Sequence, residues 1–215
     1  MGGLTGSSVP ATVPAGDAPA RAAGLARDGR RLLGIAGEPG SGKSTLAASL
    51  QDFLGGAAVV VPMDGFHLAQ QQLERLGLAE RKGAPDTMDA WGFLALVRRL
   101  KAADEPTVWA PEYRRELHNG VTGAIEVPAS VPLVILEGNY LLLDTEPWAR
   151  IRAHLDESWF VSLDAAVRLE RLVARHIATG KSPDAAAAWA NGPDEENARV
   201  IRESAKNADV IVEGR

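Results

Sequence analysis

The stretch Gly37-Glu-Pro-Gly-Ser-Gly-Lys43-Ser44 matches the pattern G-x-x-x-x-G-K-[ST]. Glycines in such a loop let backbone N–H groups turn inward around an anion without a clash from Cβ. An apolar run precedes it at residues 32–36, and a predicted helix follows from about residue 43 to 54, with its positive end facing the same anion. In this pattern the lysine contacts the outer phosphates of a nucleotide and the serine hydroxyl binds Mg²⁺. The stretch therefore predicts a nucleotide site formed by Gly37, Gly40, Ser41, Gly42, Lys43, Ser44 and Thr45.

Short apolar runs alternate with helical patterns on both sides of this loop. Strands are predicted at residues 57–62, 131–136, 158–163 and 209–212. Helices are predicted after Asp89, which can cap the first turn, and over residues 165–178. Residues 107–127 predict a β-excursion with turns at Asn119-Gly120 and Thr122-Gly123. The sequence thus indicates an α/β protein with the P-loop NTPase fold: a parallel doubly wound sheet, helices on both faces, a small β-excursion and a helical lid.

The N-terminal residues differ in composition from the rest of the chain. Residues 1–28 are rich in Gly, Ala, Pro and Ser, and we expect a flexible tail that ends in a short helix. Residues 29–215 form the expected P-loop domain, because 215 residues suit one domain with a loose end.

Composition argues against several classes of partner. Lys and Arg number 23 against 28 Asp and Glu, a formal charge of −5, so nucleic acid is not the expected ligand. No apolar run reaches the roughly 18 residues of a membrane span, and the N-terminus does not read as a secretory signal. Cysteine is absent, which excludes disulfides and thiolate chemistry and agrees with a cytoplasmic protein.

Two carboxylates follow predicted strands at the edge where the phosphate loop lies. Asp64 follows the predicted strand at residues 57–62. It could accept the proton of an attacking hydroxyl and help to hold Mg²⁺. Glu137 follows the predicted strand at residues 131–136. An apolar strand that ends in a carboxylate is the pattern of a second Mg²⁺ anchor. The predicted metal ligands are Ser44, Asp64 and Glu137.

The phosphate loop is shared by GTPases, transport ATPases and kinases. No N-K-x-D or L-S-G-G-Q run occurs in the chain, which favours a kinase. Arg168, Arg171 and Arg175 are spaced three and four residues apart on one helical face, and a stretch containing Gly, Ala and Pro follows them. This pattern is typical of a lid, whose cations, above all Arg171 and Arg175, would neutralise charge on a transferred phosphoryl group.

From about residue 32 to residue 212 the chain resembles the uridine kinase, phosphoribulokinase and pantothenate kinase group. The resemblance rests on the ordered runs G-E-P-G-S-G-K-S-T, M-D-G-F-H, K-G-A-P-D-T-M-D, A-P-E-Y-R-R-E-L-H, V-I-L-E-G-N-Y and R-L-E-R-L-V-A-R-H. It implies that Asp64 is the catalytic carboxylate, that Ser44 and Glu137 surround Mg²⁺, and that Tyr113 and His118 contact the acceptor.

The chain departs from the uridine kinase pattern at two places. Gly83 occupies the position of a ribose-binding Asp, and His67 that of the tyrosine in the usual D-S-F-Y. Lys-Gly-x-Pro and Asp-Gly-Phe are closer to pantothenate kinases and to bacterial kinases labelled as sugar or nucleoside kinases. A nucleoside, a sugar and a pantothenate-like compound therefore all stay open as acceptors.

The leading hypothesis is an ATP- and Mg²⁺-dependent kinase acting on a hydroxyl of a small metabolite. Lys43, Asp64, Arg171 and Arg175 are its predicted catalytic residues, and Phe66, His67, Tyr113, His118 and Glu137 its acceptor contacts. A nucleoside monophosphate kinase is an alternative, with Lys82, Arg114 and Arg115 at a second anion site. A nucleotide-binding switch without a small acceptor is a third hypothesis. A homodimer is compatible with the sequence.

Overall fold

A six-stranded parallel sheet forms the centre of the computed structural model, which describes residues 9–27 and 29–214. The spatial order of the strands is β1-β8-β7-β2-β6-β3, and every neighbouring pair is parallel. The predicted strands are confirmed, with boundaries shifted by one or two residues. The bounds of the sheet strands are β1 Ala11–Pro14, β2 Arg31–Gly37, β3 Ala58–Pro62, β6 Leu133–Glu137, β7 Glu157–Ser162 and β8 Val210–Glu213, and a separate hairpin contains β4 Thr107–Arg114 and β5 Asn119–Pro128.

Helices cover both faces of the sheet, as the sequence predicts. They are α1 Ala18–Leu25, α2 Lys43–Leu54, α3 Gln70–Leu76, α4 Ala90–Ala102, α5 Trp148–Arg152, α6 Ala165–Ala178, α7 Pro183–Asn191 and α8 Pro193–Glu203. The predicted cap of α4 is confirmed, since the Gly92 N–H donates to Asp89 Oδ1 at 2.8 Å. Within the described residues, none of these helices has the length and apolar character needed to cross a bilayer.

The central strands are buried on both sides because their side chains pack into two separate cores, one on each face of the sheet. Leu33 and Ile35 of β2 pack with α1 and α2, whereas Leu32 of the same strand packs with α4 and α5. Successive side chains of a strand point to opposite faces, so an apolar run without alternation fits a strand that is covered by helices on both sides. The doubly wound architecture follows from this pattern.

The N-terminal segment corrects the sequence prediction. Residues 11–25 are not a flexible tail: β1 pairs with β8 at the sheet edge, and Ala18 and Ala22 of α1 are fully buried against α2. The small alanine side chains that give this segment the composition of a tail also allow α1 to approach α2 closely. The expected short helix is confirmed, while residues 1–8 and residue 28 lie outside the described part of the chain.

The hairpin is confirmed, but its turn lies earlier than predicted. Residues 115–118 make the turn, with His118 at φ 51°, and Asn119-Gly120 begins β5 instead. Gly120 is there for close packing: a Cβ on it would come within 2.2 Å of the Gly65 carbonyl oxygen. The predicted turn at Thr122-Gly123 likewise falls within β5. Gly65 itself packs against the Pro111 carbonyl, so the hairpin is docked on the loop after β3 through two glycines.

A buried network of charges fixes α6 and α8 to the phosphate loop. Glu38, in the loop, accepts a hydrogen bond from Arg202 Nη2 at 2.5 Å and lies 3.6 Å from Arg168 Nε. Arg168 is 3% exposed and also pairs with Glu195 of α8. Because a buried guanidinium is costly without an anionic partner, this network fixes the start of α6, the helix predicted to begin the lid, relative to the loop.

We predict that Glu38→Gln lowers the free energy of unfolding by about 2–4 kcal/mol, because it leaves Arg168 buried with one carboxylate fewer. The melting temperature should fall by roughly 4–16 °C for a chain of this size. Arg199→Gln, an exposed position on α8, is the matched control and should change stability by less than about 0.5 kcal/mol. Equal melting temperatures for the two variants would show that the network does not stabilise the fold.

Candidate active site

The phosphate loop has the backbone conformation that its glycines predict. Gly40 and Gly42 have φ values of 84° and 91°, a region that side chains with Cβ rarely occupy. Gly42 is the residue before α2, so the helix begins at Lys43 and directs its N-terminus toward the loop. The Ser41 hydroxyl is buried and makes no hydrogen bond to another described residue. The loop therefore has the backbone conformation expected of an anion-binding turn.

Lys43 and Glu137 form a buried ion pair beside the loop. Their Nζ and Oε1 atoms are 3.6 Å apart, and the two side chains are 10% and 8% exposed. Burial raises the pKa of Glu137, the negative charge of Asp64 raises it further, and Lys43 and a hydrogen bond from Ser44 oppose the rise. The loop and the end of β6 thus meet at one charged cluster.

Asp64 lies at the same edge of the sheet. It follows β3 in a short 3₁₀ turn, and the register pairs Pro62, two residues earlier, with Glu137. Its charge raises the pKa of Tyr113 and Tyr140, on which burial acts in the same direction and more strongly. The Asp64 carboxylate therefore lies among the predicted acceptor contacts and near the nucleotide loop.

Two cavities meet at this cluster. The first, of about 700 Å³, is lined by the loop residues 40–45 together with Ala15, Val161 and Val212. The second, of about 520 Å³, contains Asp64, Glu137 and the predicted acceptor residues His67 and Tyr113. The residues that line both cavities are Lys43, Ser44, Arg115 and Arg175.

The second cavity includes only part of the predicted acceptor set. The rings of His67 and Tyr113 have centroids 5.0 Å apart and are tilted by 50°. His67 Nδ1 donates to the Asp64 carbonyl oxygen at 2.8 Å, which leaves Nε2 as the second polar atom of the ring. Phe66 instead packs on Phe93 at 5.2 Å and belongs to the core. The His118 side chain is exposed, and only its carbonyl takes part, as an acceptor for Lys82.

The three lid arginines separate into different environments. Arg171 lines the first cavity and Arg175 lines both. Arg168 points away from them into the network with Glu38, because its face of α6 packs on the phosphate loop. Burial lowers the pKa of Arg175, and Asp194, Asp64 and Glu137 oppose this effect. The three arginines therefore share a helical spacing but not an environment: Arg171 and Arg175 line the cavities, and Arg168 belongs to the charge network.

Several lining residues were not assigned a role from the sequence. Tyr140 is fully buried, and its hydroxyl donates to the Gly83 carbonyl. Gly83 has φ 103°, so the position that departs from the uridine kinase pattern requires glycine for its backbone. Asn139 lies beside it with a buried Oδ1 that has no partner among the described residues. The run Glu137-Gly-Asn-Tyr140 directly after a buried strand was the signal for these two residues.

The predicted lid, which consists of α6 and the stretch that follows it to residue 193, also contributes to the second cavity. Lys181 and Trp189 line it, with the Lys181 Nζ 4.4 Å from the centroid of the Trp189 ring. His176 and Asp194 pair at 2.6 Å along the same wall. The alanine-rich composition of the stretch after α6 predicts only a flap. The contact between Lys181 and Trp189 depends on packing, which sequence spacing does not specify.

The donor atoms at the junction of the cavities suit a hard cation. Among the described residues, no group of three or more His, Cys, Asp or Glu side chains could hold a metal alone. The Ser44 hydroxyl bonds to Glu137, and Asp64 lies on the adjoining strand end. Mg²⁺ prefers such oxygen ligands and commonly takes the rest of its coordination from nucleotide phosphates and water. These residues therefore fit an ion that arrives with a nucleotide.

Comparisons with known proteins identify the family of the chain. The model of the phosphoribulokinase / uridine kinase family matches residues 32–214. An ATP-dependent kinase-like protein of Aspergillus versicolor is 38% identical over 160 residues, covering 71% of this chain and 88% of the relative. A candidate uridine kinase of Schizosaccharomyces pombe is 35% identical over 160 residues, covering 70% and 68%.

A solved structure shows the same architecture. The crystal structure of a candidate fructose transport system kinase from a Silicibacter species superposes with a TM-score of 0.80 at 40% identity, covering 90% of this chain and 98% of that one. The glycine loop, the paired strand-end carboxylates and the lid lie within the matched residues 32–214. The chain belongs to the phosphoribulokinase / uridine kinase family.

Proposed function

We propose that the protein transfers the γ-phosphate of ATP to a hydroxyl group of a small molecule. The observation that carries this proposal is the junction of the two cavities at Lys43, Ser44, Arg115 and Arg175. A nucleotide whose phosphates bind the glycine loop would have its terminal phosphate at this junction. Asp64 lies in the second cavity, where a hydroxyl group could approach that phosphate from the other side.

The chemistry assigned to the residues is direct transfer. The acceptor oxygen forms a bond to the γ-phosphorus while the bond from that phosphorus to the β–γ bridging oxygen breaks, which releases ADP. The Asp64 carboxylate accepts the hydroxyl proton. Lys43, Arg171 and Arg175 stabilise negative charge on the transferred group, and positioning supplies much of the acceleration. Ser44, Asp64 and Glu137 would hold Mg²⁺, which, when bound, neutralises charge on the β- and γ-phosphates.

The lid completes the site in this proposal. Arg175 lies at the junction and is joined through α6 to the network that includes Glu38. Closure of such a segment excludes water and so suppresses hydrolysis of ATP. A homodimer and a cytoplasmic location stay predictions from the sequence.

Release of ADP with and without acceptors tests the function. We expect slow release from ATP and Mg²⁺ alone and an increase of at least about 10-fold with the correct acceptor, because the acceptor hydroxyl replaces water as the nucleophile. The panel should contain nucleosides, sugars and pantothenate, since the names of two relatives include uridine kinase and fructose transport. ADP release that neither this panel nor phosphorylated or carboxylate-bearing acceptors change would favour a nucleotide switch instead.

The proton acceptor can be tested by one substitution. Asp64→Asn should lower turnover with the best acceptor by at least about 100-fold, because the amide cannot take the hydroxyl proton. ATP binding, measured by fluorescence with a labelled analogue, and the melting temperature should change little. Asp52→Asn makes the same change at an exposed position of α2 and should leave turnover unchanged. Near-normal turnover in Asp64→Asn would show that another group acts as the base.

A further inference from the structure

We propose that the acceptor carries a negatively charged group, a carboxylate or a phosphate, and that Lys82 binds this group in the second cavity. The inference rests on the proposed function, because it names the chemical class of the molecule that enters the acceptor cavity.

Lys82 is half-buried and bound only to neutral groups. Its Nζ donates to the His118 carbonyl at 2.9 Å and to Gln70 Oε1 at 3.2 Å, and it lies 5.7 Å from the centroid of the Tyr113 ring. An ammonium group has three N–H donors, so one is left for a ligand. None of the ion pairs formed by residues 9–27 and 29–214 includes Lys82.

A cation in this position lacks a counter-charge. Burial lowers the pKa of Lys82, which is the expected effect where the charged form loses hydration without gaining a carboxylate. The neighbouring Arg81 is exposed and pairs with Asp86 at 2.9 Å, so the chain provides a carboxylate for the outer cation but not for the inner one. An anion in the cavity would supply the missing charge.

The carboxylates that line the second cavity do not supply the counter-charge of Lys82. Asp64 and Glu137 lie in the cluster with Lys43, and Asp194 is occupied by His176. The remaining carboxylates of the wall, Glu80 and Glu196, are exposed.

The lid adds a second cation to the same cavity. Lys181 contacts the Trp189 ring, and the described ion pairs do not include it either. Lys82 and Lys181 therefore present positive charge to the same cavity from the acceptor loop and from the lid.

A purely structural role for Lys82 makes a different prediction. Its two hydrogen bonds join the hairpin to α3, so loss of Lys82 could simply loosen the cavity. Loosening would weaken every acceptor alike, whereas loss of an anion contact would weaken only charged acceptors. The test therefore compares charged and neutral forms of the same molecule.

The experiment uses the full chain and three matched pairs of probes: glycerol with D-glycerate, ribose with ribose 5-phosphate, and uridine with uridine 5′-monophosphate. The first pair tests a carboxylate, and the other two test a phosphate. We expect one anionic member to exceed its neutral partner in kcat/KM by about 10–100-fold, the range of one or two charge-assisted hydrogen bonds. In Lys82→Gln most of this preference should disappear, while kcat/KM for the neutral partner stays within about 2-fold.

Lys206→Gln removes the same charge from an exposed position outside both cavities and should keep the preference. The inference is overturned if neutral members react as well as charged ones, or if Lys82→Gln lowers both members of a pair equally.

Calorimetric binding of the same pairs to protein saturated with a non-hydrolysable ATP analogue and Mg²⁺ separates this inference from the proposed function. Binding of an anionic member that depends on Lys82, together with no phosphorylation of that member when ATP replaces the analogue, would support an anion site at Lys82 and count against the kinase proposal. If no anionic member binds better than its neutral partner, the inference is wrong even where a neutral acceptor is phosphorylated.

Discussion

The buried pair of Lys43 and Glu137 is the constraint on which the site depends. Two opposite charges, 3.6 Å apart and almost removed from solvent, are stable only where neighbouring groups complete their hydrogen bonds. The parallel register meets this condition by bringing the end of β6 beside the ends of β2 and β3. The glycine loop, Ser44 and Asp64 therefore converge on one cluster, and the two cavities open on either side of it.

Close backbone packing determines the rest of the acceptor side. The hairpin reaches the cavity because Gly65 and Gly120 allow it to lie on the loop after β3, and Tyr140 holds the segment that contains Gly83. On the lid side, Glu38 links the phosphate loop to α6 and α8. Both walls of the second cavity are thus fixed to the elements that carry the glycine loop.

The features that could be predicted from the sequence are those with a local pattern. The glycine loop, the capped helix after Asp89, the buried strands and the strand-end carboxylates all follow from spacing and apolar runs. The surroundings of Arg168, Phe66 and His118 depend on what each side chain meets after folding, and spacing alone does not indicate that none of the three lines either cavity. The N-terminal segment was missed because alanines that pack against α2 have the composition of a tail. Lys82 was predicted only for the monophosphate kinase alternative and Trp189 was not predicted, because their contacts are made with residues distant in the sequence or within the lid.

The proposed function requires the terminal phosphate of a bound nucleotide to lie at the junction of the cavities, opposite Asp64. A crystal structure with a non-hydrolysable ATP analogue and Mg²⁺ measures this directly and does not require the acceptor to be known. We expect the γ-phosphate beside Lys43 and Arg175, with open space between its phosphorus and the Asp64 carboxylate. A γ-phosphate that points away from the second cavity, or a wall of side chains between it and Asp64, would contradict direct transfer.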